Sequence, residues 1–353
     1  MKQIYFIMFF VFVLLINNAS SAADDSALDG KVLSPGVIML LLGDDANDGD
    51  EPGEVNEWEA RASLDSPRVL HAVVADNNGY LYVIGGTSDA GGAEAVKTLY
   101  RYCTQENRWE ERRSLEIALA RIDAEIINDK IYIPGDSTTA DTFVYDIETN
   151  TWSTIPPGEY SKRVHYRTVA IDHYLYVLGG IIVDLNESTN EVWILNTETE
   201  EWSKGLPMHD GRINFAAGVI NGVIYVAGGA SWPSEAPIMT AEKFTDEWSF
   251  IADIPDREAS YQFWSYMADG VTDNALWLAG GRRASWLDNF HTGFYDPAED
   301  AWTDSTLGSF PTLNQGRVYL SGAVASDGYF YAIGGRDGEG KIIYDTNERF
   351  RVK

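Results

Sequence analysis

Gly79-Tyr-Leu-Tyr-Val-Ile-Gly-Gly86 is a short aromatic strand that ends in two glycines, and degraded copies of it recur five more times along the chain. The glycine pairs or their remnants begin at Gly85, Gly135, Gly179, Gly228, Gly280 and Gly334, with Asp136 standing second in the second copy. An aromatic residue precedes each pair by three positions: Tyr82, Tyr132, Tyr176, Tyr225, Trp277 and Tyr331. Aromatics favour strands and paired glycines favour sharp bends, so each copy reads as a strand ending where backbones come close.

Two further landmarks keep the same register. A tryptophan closes each unit (Trp58, Trp109, Trp152, Trp202, Trp248 and Trp302), with Phe350 in its place at the end, and a tyrosine stands seven residues earlier at Tyr102, Tyr145 and Tyr295. The polar stretch between tyrosine and tryptophan is a hairpin turn. An arginine begins the strand before most glycine pairs: Arg68, Arg121, Arg163, Arg212 and Arg317; the fifth unit has only Arg257 nearby. Each unit therefore holds four strands: a from the arginine, b to the glycines, c with the tyrosine, d from the tryptophan. Four short strands repeated every 44 to 54 residues are the signature of a β-propeller blade. Stacking blades in a ring buries faces that one blade would leave exposed.

The arginine-led strand, double glycine and spaced tyrosine and tryptophan resemble the kelch repeat over about 300 residues, from Glu57 onward. The resemblance implies an all-β, six-bladed kelch-type β-propeller with four antiparallel strands per blade. Trp58-Glu-Ala-Arg-Ala-Ser-Leu64 matches Trp109-Glu-Glu-Arg-Arg-Ser-Leu115, so the Trp58 segment is a strand d with no a, b or c of its own. It is predicted to close the ring by completing the last blade beside Ile342–Tyr344. Cys103 is the only cysteine, so no internal disulfide holds the ring.

Three parts follow: residues 1–22 as a secretory signal, 23–54 as an acidic, disordered linker and 55–353 as the propeller. Lys2, the apolar run Ile4 to Ile16 and the small residues Ser20-Ser21-Ala22 read as a cleaved signal, which leaves no stable membrane span and predicts an exported protein, periplasmic, extracellular or on the cell surface. Val37–Leu42 is an apolar stretch with no assigned partner. In the acidic run that follows, Asp44, Asp48 and Gly49 match three positions of a helix–loop–helix calcium loop, but Ala46 and Val55 fail two others. The net charge of −28 argues against nucleic acid and anionic membranes as partners.

In a propeller the d–a and b–c loops emerge on one face. The repeat arginines Arg68, Arg121, Arg163, Arg212 and Arg317 are expected to ring that mouth, joined by Arg282, Arg283 and Arg336 just after glycine pairs. A guanidinium fork suits carboxylate or phosphate. Two readings stand side by side for the repeat arginines: an anion-binding mouth, or ion pairs with neighbouring blade carboxylates that hold the ring. Trp232 and Trp286, outside the repeat pattern, would add flat faces for a sugar. His71 and His165 fall near the starts of strands a and would face the channel; no histidine pair has metal spacing, and neither metal nor cofactor is expected.

The expected function is a monomeric binding module whose loop face holds an acidic glycan or an acidic protein segment. The resemblance also extends to exported bacterial kelch propellers that act as sialic acid mutarotases. That alternative implies a carboxylate anchor such as Arg212 and a base such as Glu258 or His165. A purely structural cell-surface protein is the third possibility.

Overall fold

A computed structural model describes residues 57–255, 265–282, 290–305 and 310–352. The signal, the acidic linker and Val37–Leu42 lie outside the described residues. The described residues form strands and turns, with six four-stranded antiparallel sheets arranged a-b-c-d. The first blade comprises Ala72–Ala75, Tyr80–Ile84, Leu99–Cys103 and Arg108–Arg112. The innermost strands neighbour one another in a closed circuit, from Ala72–Ala75 through Glu125–Ile127, Arg167–Ile171, Ala216–Ile220, Ala268–Val271 and Ser321–Val324 back to the first. The remaining sheet is a small one (Arg163–Val164, Ile181–Ile182, Glu187–Ser188) that extends the third blade toward its loops.

The glycine pairs bend strand b where two backbones crowd it. A Cβ on Gly85 would lie 2.5 Å from the Leu119 carbonyl of the next blade, and one on Gly86 would lie 2.6 Å from the Val69 carbonyl of its own. Both glycines have positive φ, which side chains resist. The second blade, with Asp136 in place of the second glycine, instead uses that carboxylate to accept from Ala120 N at 3.1 Å.

The tyrosine–tryptophan motif is a latch between blades. Tyr102 and Trp109 are ladder partners with ring centroids 4.8 Å apart. Trp109 Nε1 donates to the Ala62 carbonyl of the preceding blade at 2.7 Å, while Asn107 Oδ1 accepts from Ala62 N at 2.8 Å and from the Tyr102 hydroxyl at 2.7 Å. The same two-point grip joins Trp152 and Asn150 to Arg113, and Trp302 and Asp300 to Ala252. One residue thus has both of its backbone groups satisfied across each such seam.

Glu59–Ala60 pairs antiparallel with Asn347–Arg351, Glu59 opposite Arg349. The N-terminal strand therefore completes the last blade as expected, but two details differ. Its partner is Asn347–Arg351, while Ile342–Tyr344 lies nearer the mouth, where Ile343 bridges Arg336. Phe350 is on strand c, at the position of Tyr102, and Trp58 is the tryptophan of that blade; their rings lie 5.8 Å apart. The arginines also precede strand a: Arg68 lies in the loop four residues before Ala72.

Candidate functional site

Arg68, Arg163, Arg212 and Arg317 are fully buried, none more than 1 % exposed. Each reaches within its own blade to the carbonyl of the first glycine: Arg68 to Gly85 at 2.9 Å, Arg163 to Gly179 at 3.1 Å, Arg212 to Gly228 at 2.9 Å and Arg317 to Gly334 at 2.8 Å. Other donors reach strand c or the residue just before it, and Arg68 and Arg212 also meet Ser66 and Asp210. Arg163 pairs with Glu191 at 3.1 Å, Arg212 with Glu242 and Arg317 with Glu348, both at 2.6 Å, and Arg68 donates to Thr98 Oγ1 at 2.7 Å. Burial pulls the guanidinium pKa down at Arg68, Arg212 and Arg317. Arg68, Arg163 and Arg212 are thus braces inside blades rather than ligand groups at the mouth. The reading in which these arginines pair with carboxylates describes three of the four, with the partner in the same blade.

Arg121 does not belong to this set. The brace position of the second blade is Leu119, whose carbonyl accepts from Gly86 N as those of Arg212, Arg317 and Arg68 accept from Gly180, Gly281 and Gly335. Arg121 stands two residues later, at the position of Leu70, His165, Asn214, Tyr266 and Tyr319. These six residues all have φ between 50° and 60°. Their backbones form a closed ring of hydrogen bonds: each N–H donates to the carbonyl of the preceding member, and Leu70 N completes the circuit on the Tyr319 carbonyl at 3.4 Å. The left-handed conformation disfavours β-branched residues, and none occupies the ring. Their side chains are delivered to the channel axis.

Above this ring opens a cavity of about 390 Å³, lined by Arg121, His165, Tyr266 and Tyr319 and walled by Asn186, Trp232 and Glu235 from the b–c loops. Trp232 is held by two hydrogen bonds: its Nε1 donates to Asn186 Oδ1 at 2.9 Å and its backbone N to Ser188 Oγ at 3.1 Å. His165 Nδ1 lies 2.7 Å from Asn214 Oδ1, an acceptor, which places the ring proton on Nδ1 and leaves Nε2 as a bare acceptor. Burial pushes this histidine down to about 4, with the Arg121 charge helping, so it is neutral at physiological pH. Tyr266 and Tyr319 pack edge to face at 4.4 Å. Arg121 Nη2 donates to the Gly92 carbonyl at 2.9 Å and has no carboxylate partner among the described residues.

Of the other expected site residues, Arg282 reaches Glu235 at 2.9 Å, and Arg336 covers the Tyr319 ring at 4.7 Å while donating to the Ala90 carbonyl. Both therefore brace the mouth wall. Arg283, Trp286 and Glu258 lie outside the described residues. Sequence reasoning missed Asn214, Tyr266 and Tyr319, although each stands two residues after the brace position.

Below the ring the channel narrows to a neck of about 50 Å³ and then widens to a chamber of about 430 Å³. In that chamber Arg167 is held between Asp123 and Asp269, from three different blades, and Glu125 stands beside Asp123. Burial and the Asp123 charge push Glu125 up to about 8.

Residues 53–229 match the KLHDC2/KLHL20/DRC7 Kelch-repeats domain family, half of the chain. The chain is 25% identical over 221 residues to Kelch-like protein 23 of Homo sapiens, covering 59% of this chain and 37% of the relative. It is 23% identical over 239 residues to Kelch repeat and BTB domain-containing protein 1 of Cowpox virus, covering 64% and 41%. It thus spans about two fifths of the length of these relatives. Among solved structures, that titled "Structure of YjhT" superposes with a TM-score of 0.64 over 81% of this chain and 95% of the other, at 14% identity, a likeness of fold. With the repeats, the blades and the family match in agreement, the chain belongs to the kelch-repeat family of β-propellers.

Proposed function

We propose that this propeller is an exported, monomeric binding module whose loop mouth takes an acidic glycan or an acidic protein segment. The observation that carries the reading is Arg121: a guanidinium without a carboxylate partner among the described residues, set at a cavity with an indole wall and two tyrosines, in a chain of net charge −28. A charged hydrogen bond from such a group contributes about 1.5–3 kcal/mol when well formed. Trp232 offers a flat apolar face for a sugar ring and Asn214 and the tyrosines offer polar edges. The test is a glycan-array and acidic-peptide screen of residues 23–353 at low and high salt. Selective binding that weakens with salt is expected, and Arg121→Ala should weaken it by about tenfold or more. Binding that ignores both salt and Arg121 would end the proposal.

A second reading is favoured by His165. Its Nε2 is a neutral acceptor at the cavity, suited to general-base work on a sugar hydroxyl, as a mutarotase of acidic sugars would need. NMR of anomer exchange in the ligand found by the screen tests it: acceleration lost in His165→Gln supports catalysis, and no acceleration by the intact protein removes it.

A further inference from the structure

The lower chamber carries more carboxylates than cations. Among the described residues Asp123, Glu125 and Asp269 line it against Arg167 alone, and Thr168 is the only other polar side chain in the wall. Asp123 and Asp269 are satisfied: both pair with Arg167, Asp123 also accepts from Thr168 N at 2.7 Å, and Asp269 accepts from Ala217 N at 3.0 Å. Glu125 is not. Its carboxylate has no ion pair and no side-chain donor among the described residues, and only the Ile126 N–H and the more distant Arg167 charge favour its ionised form. Neither of its oxygens is shut off from solvent, and Glu125 lies on the innermost strand of its blade, so the space those oxygens meet is the chamber. Around these charges the wall is apolar, built of Val73, Val74, Val169, Val219, Val271 and Val324. The volume of about 430 Å³ is in the range of small-ligand sites. No three carboxylates or histidines among the described residues converge as a metal ion would require. Apolar walls with an unpaired carboxylate suit instead a cation borne on an alkyl chain, as in the side chain of lysine. The chamber extends to the last residues of strand a in three blades, Ala75, Val271 and Val324, and so opens toward the a–b turns. Four of those turns carry an exposed aspartate, Asp129, Asp172, Asp273 and Asp327, with Lys130, His173 and Arg349 (3.4 Å from Asp327) as the cations beside them. Such an acidic rim draws cations toward the opening.

We propose that the lower chamber binds a primary alkylammonium group, whose N–H donors meet Glu125 and whose alkyl chain lies along the valines. The group can belong to a free amine or to a lysine side chain of a partner. The site is on the other side of the ring from the mouth and stands whether or not the mouth takes an acidic partner.

The test is calorimetric titration of the full chain at pH 7 without any mouth ligand. Pentylamine is expected to bind with one-to-one stoichiometry, and 1-pentanol, with the same chain and no charge, about tenfold or more weakly. Glu125→Gln keeps the shape of the side chain and removes its charge, and should weaken pentylamine by about tenfold or more. A capped Gly-Gly-Lys-Gly-Gly peptide separates the two sources: binding of both probes assigns the chamber to a lysine side chain, and binding of pentylamine alone assigns it to a free amine. No uptake of either amine, pentanol binding as tightly as pentylamine, or pentylamine binding unchanged in Glu125→Gln would overturn the proposal. The comparison with pentanol needs no variant, so it holds even if Glu125→Gln fails to fold.

Discussion

Arginine at the brace position and leucine in its place show two solutions to one packing problem. In the last blade Arg317 and Glu348 are both fully buried, and Glu348 also accepts from Asn314 N at 3.0 Å. In the second blade the corresponding pair is Leu119 and Phe143, which belong to one apolar cluster. Removing one member of a buried ion pair leaves the other desolvated and alone, at about 3–5 kcal/mol, whereas replacing both by apolar groups is often neutral. Arg317→Ala should therefore lower unfolding stability in urea by about 3–5 kcal/mol, and Arg317→Leu with Glu348→Phe should recover most of the loss. A double variant as unstable as the single one would show that the brace depends on charge itself. The brace arginines were visible in the sequence, but their burial was not, because an arginine beside a loop reads the same whether its fork points to a carbonyl or to solvent. Arg121 carried a signal that separates it: it stands fourteen residues before its glycine, whereas Arg68 and Arg317 stand seventeen before theirs.

At the scale of the strand, the recurring tyrosine, tryptophan and glycines made blade number and strand order legible, since each repeat had to bury the same faces. The latch was not legible: nothing in Tyr102 to Trp109 says that Asn107 and Trp109 grip one residue of the preceding blade. Trp58 marks the closing strand in the sequence, but its partner is not legible there, because spacing sets Phe350 in line with the tryptophans whereas pairing sets it in line with Tyr102. Only the pairing of Phe350 opposite Phe330 settles that register. Beyond the two ladder residues, Arg61 N and Leu64 N donate to the Asn347 and Asp345 carbonyls at 2.8 Å, and the side chain that anchors the closing segment is Trp58, which is buried against Phe330 at 5.7 Å and donates to Thr292 Oγ1 at 3.0 Å. Trp58→Ala should cost about 3–5 kcal/mol and expose Asn347–Arg351 to limited proteolysis ahead of the other blades. Uniform proteolysis with a loss under about 1 kcal/mol would show that the ring does not depend on this strand.

At the scale of the molecule, the channel couples stability to pH through its buried titratable groups. His71 and His165 are held at about 3 and about 4 by burial, with the Arg68 charge adding at His71 and the Arg121 charge at His165. Unfolding releases both to the ordinary value near 6.5, where the unfolded chain takes up protons that the folded one refuses, so stability falls as pH drops below about 6.5. Glu125 has the opposite sign. It lines the lower chamber next to Asp123, with Arg167 between Asp123 and Asp269 as the nearest cation, and keeps its proton until about 8. The unfolded chain releases that proton near the ordinary glutamate value, so stability falls as pH rises from about 4.5 to 8 and is level above. Where the histidines no longer titrate, between about 6.5 and 8, Glu125 alone of these three sets the slope, at most about 1.4 kcal/mol per pH unit. Glu125→Gln should abolish that alkaline decline while leaving the acid limb intact, so the variant gains on the native protein steadily up to about pH 8. Urea unfolding at a series of pH values reads this directly. Curves that stay parallel would mean that Glu125 ionises normally in the folded chamber, and that Arg167 serves three carboxylates at once.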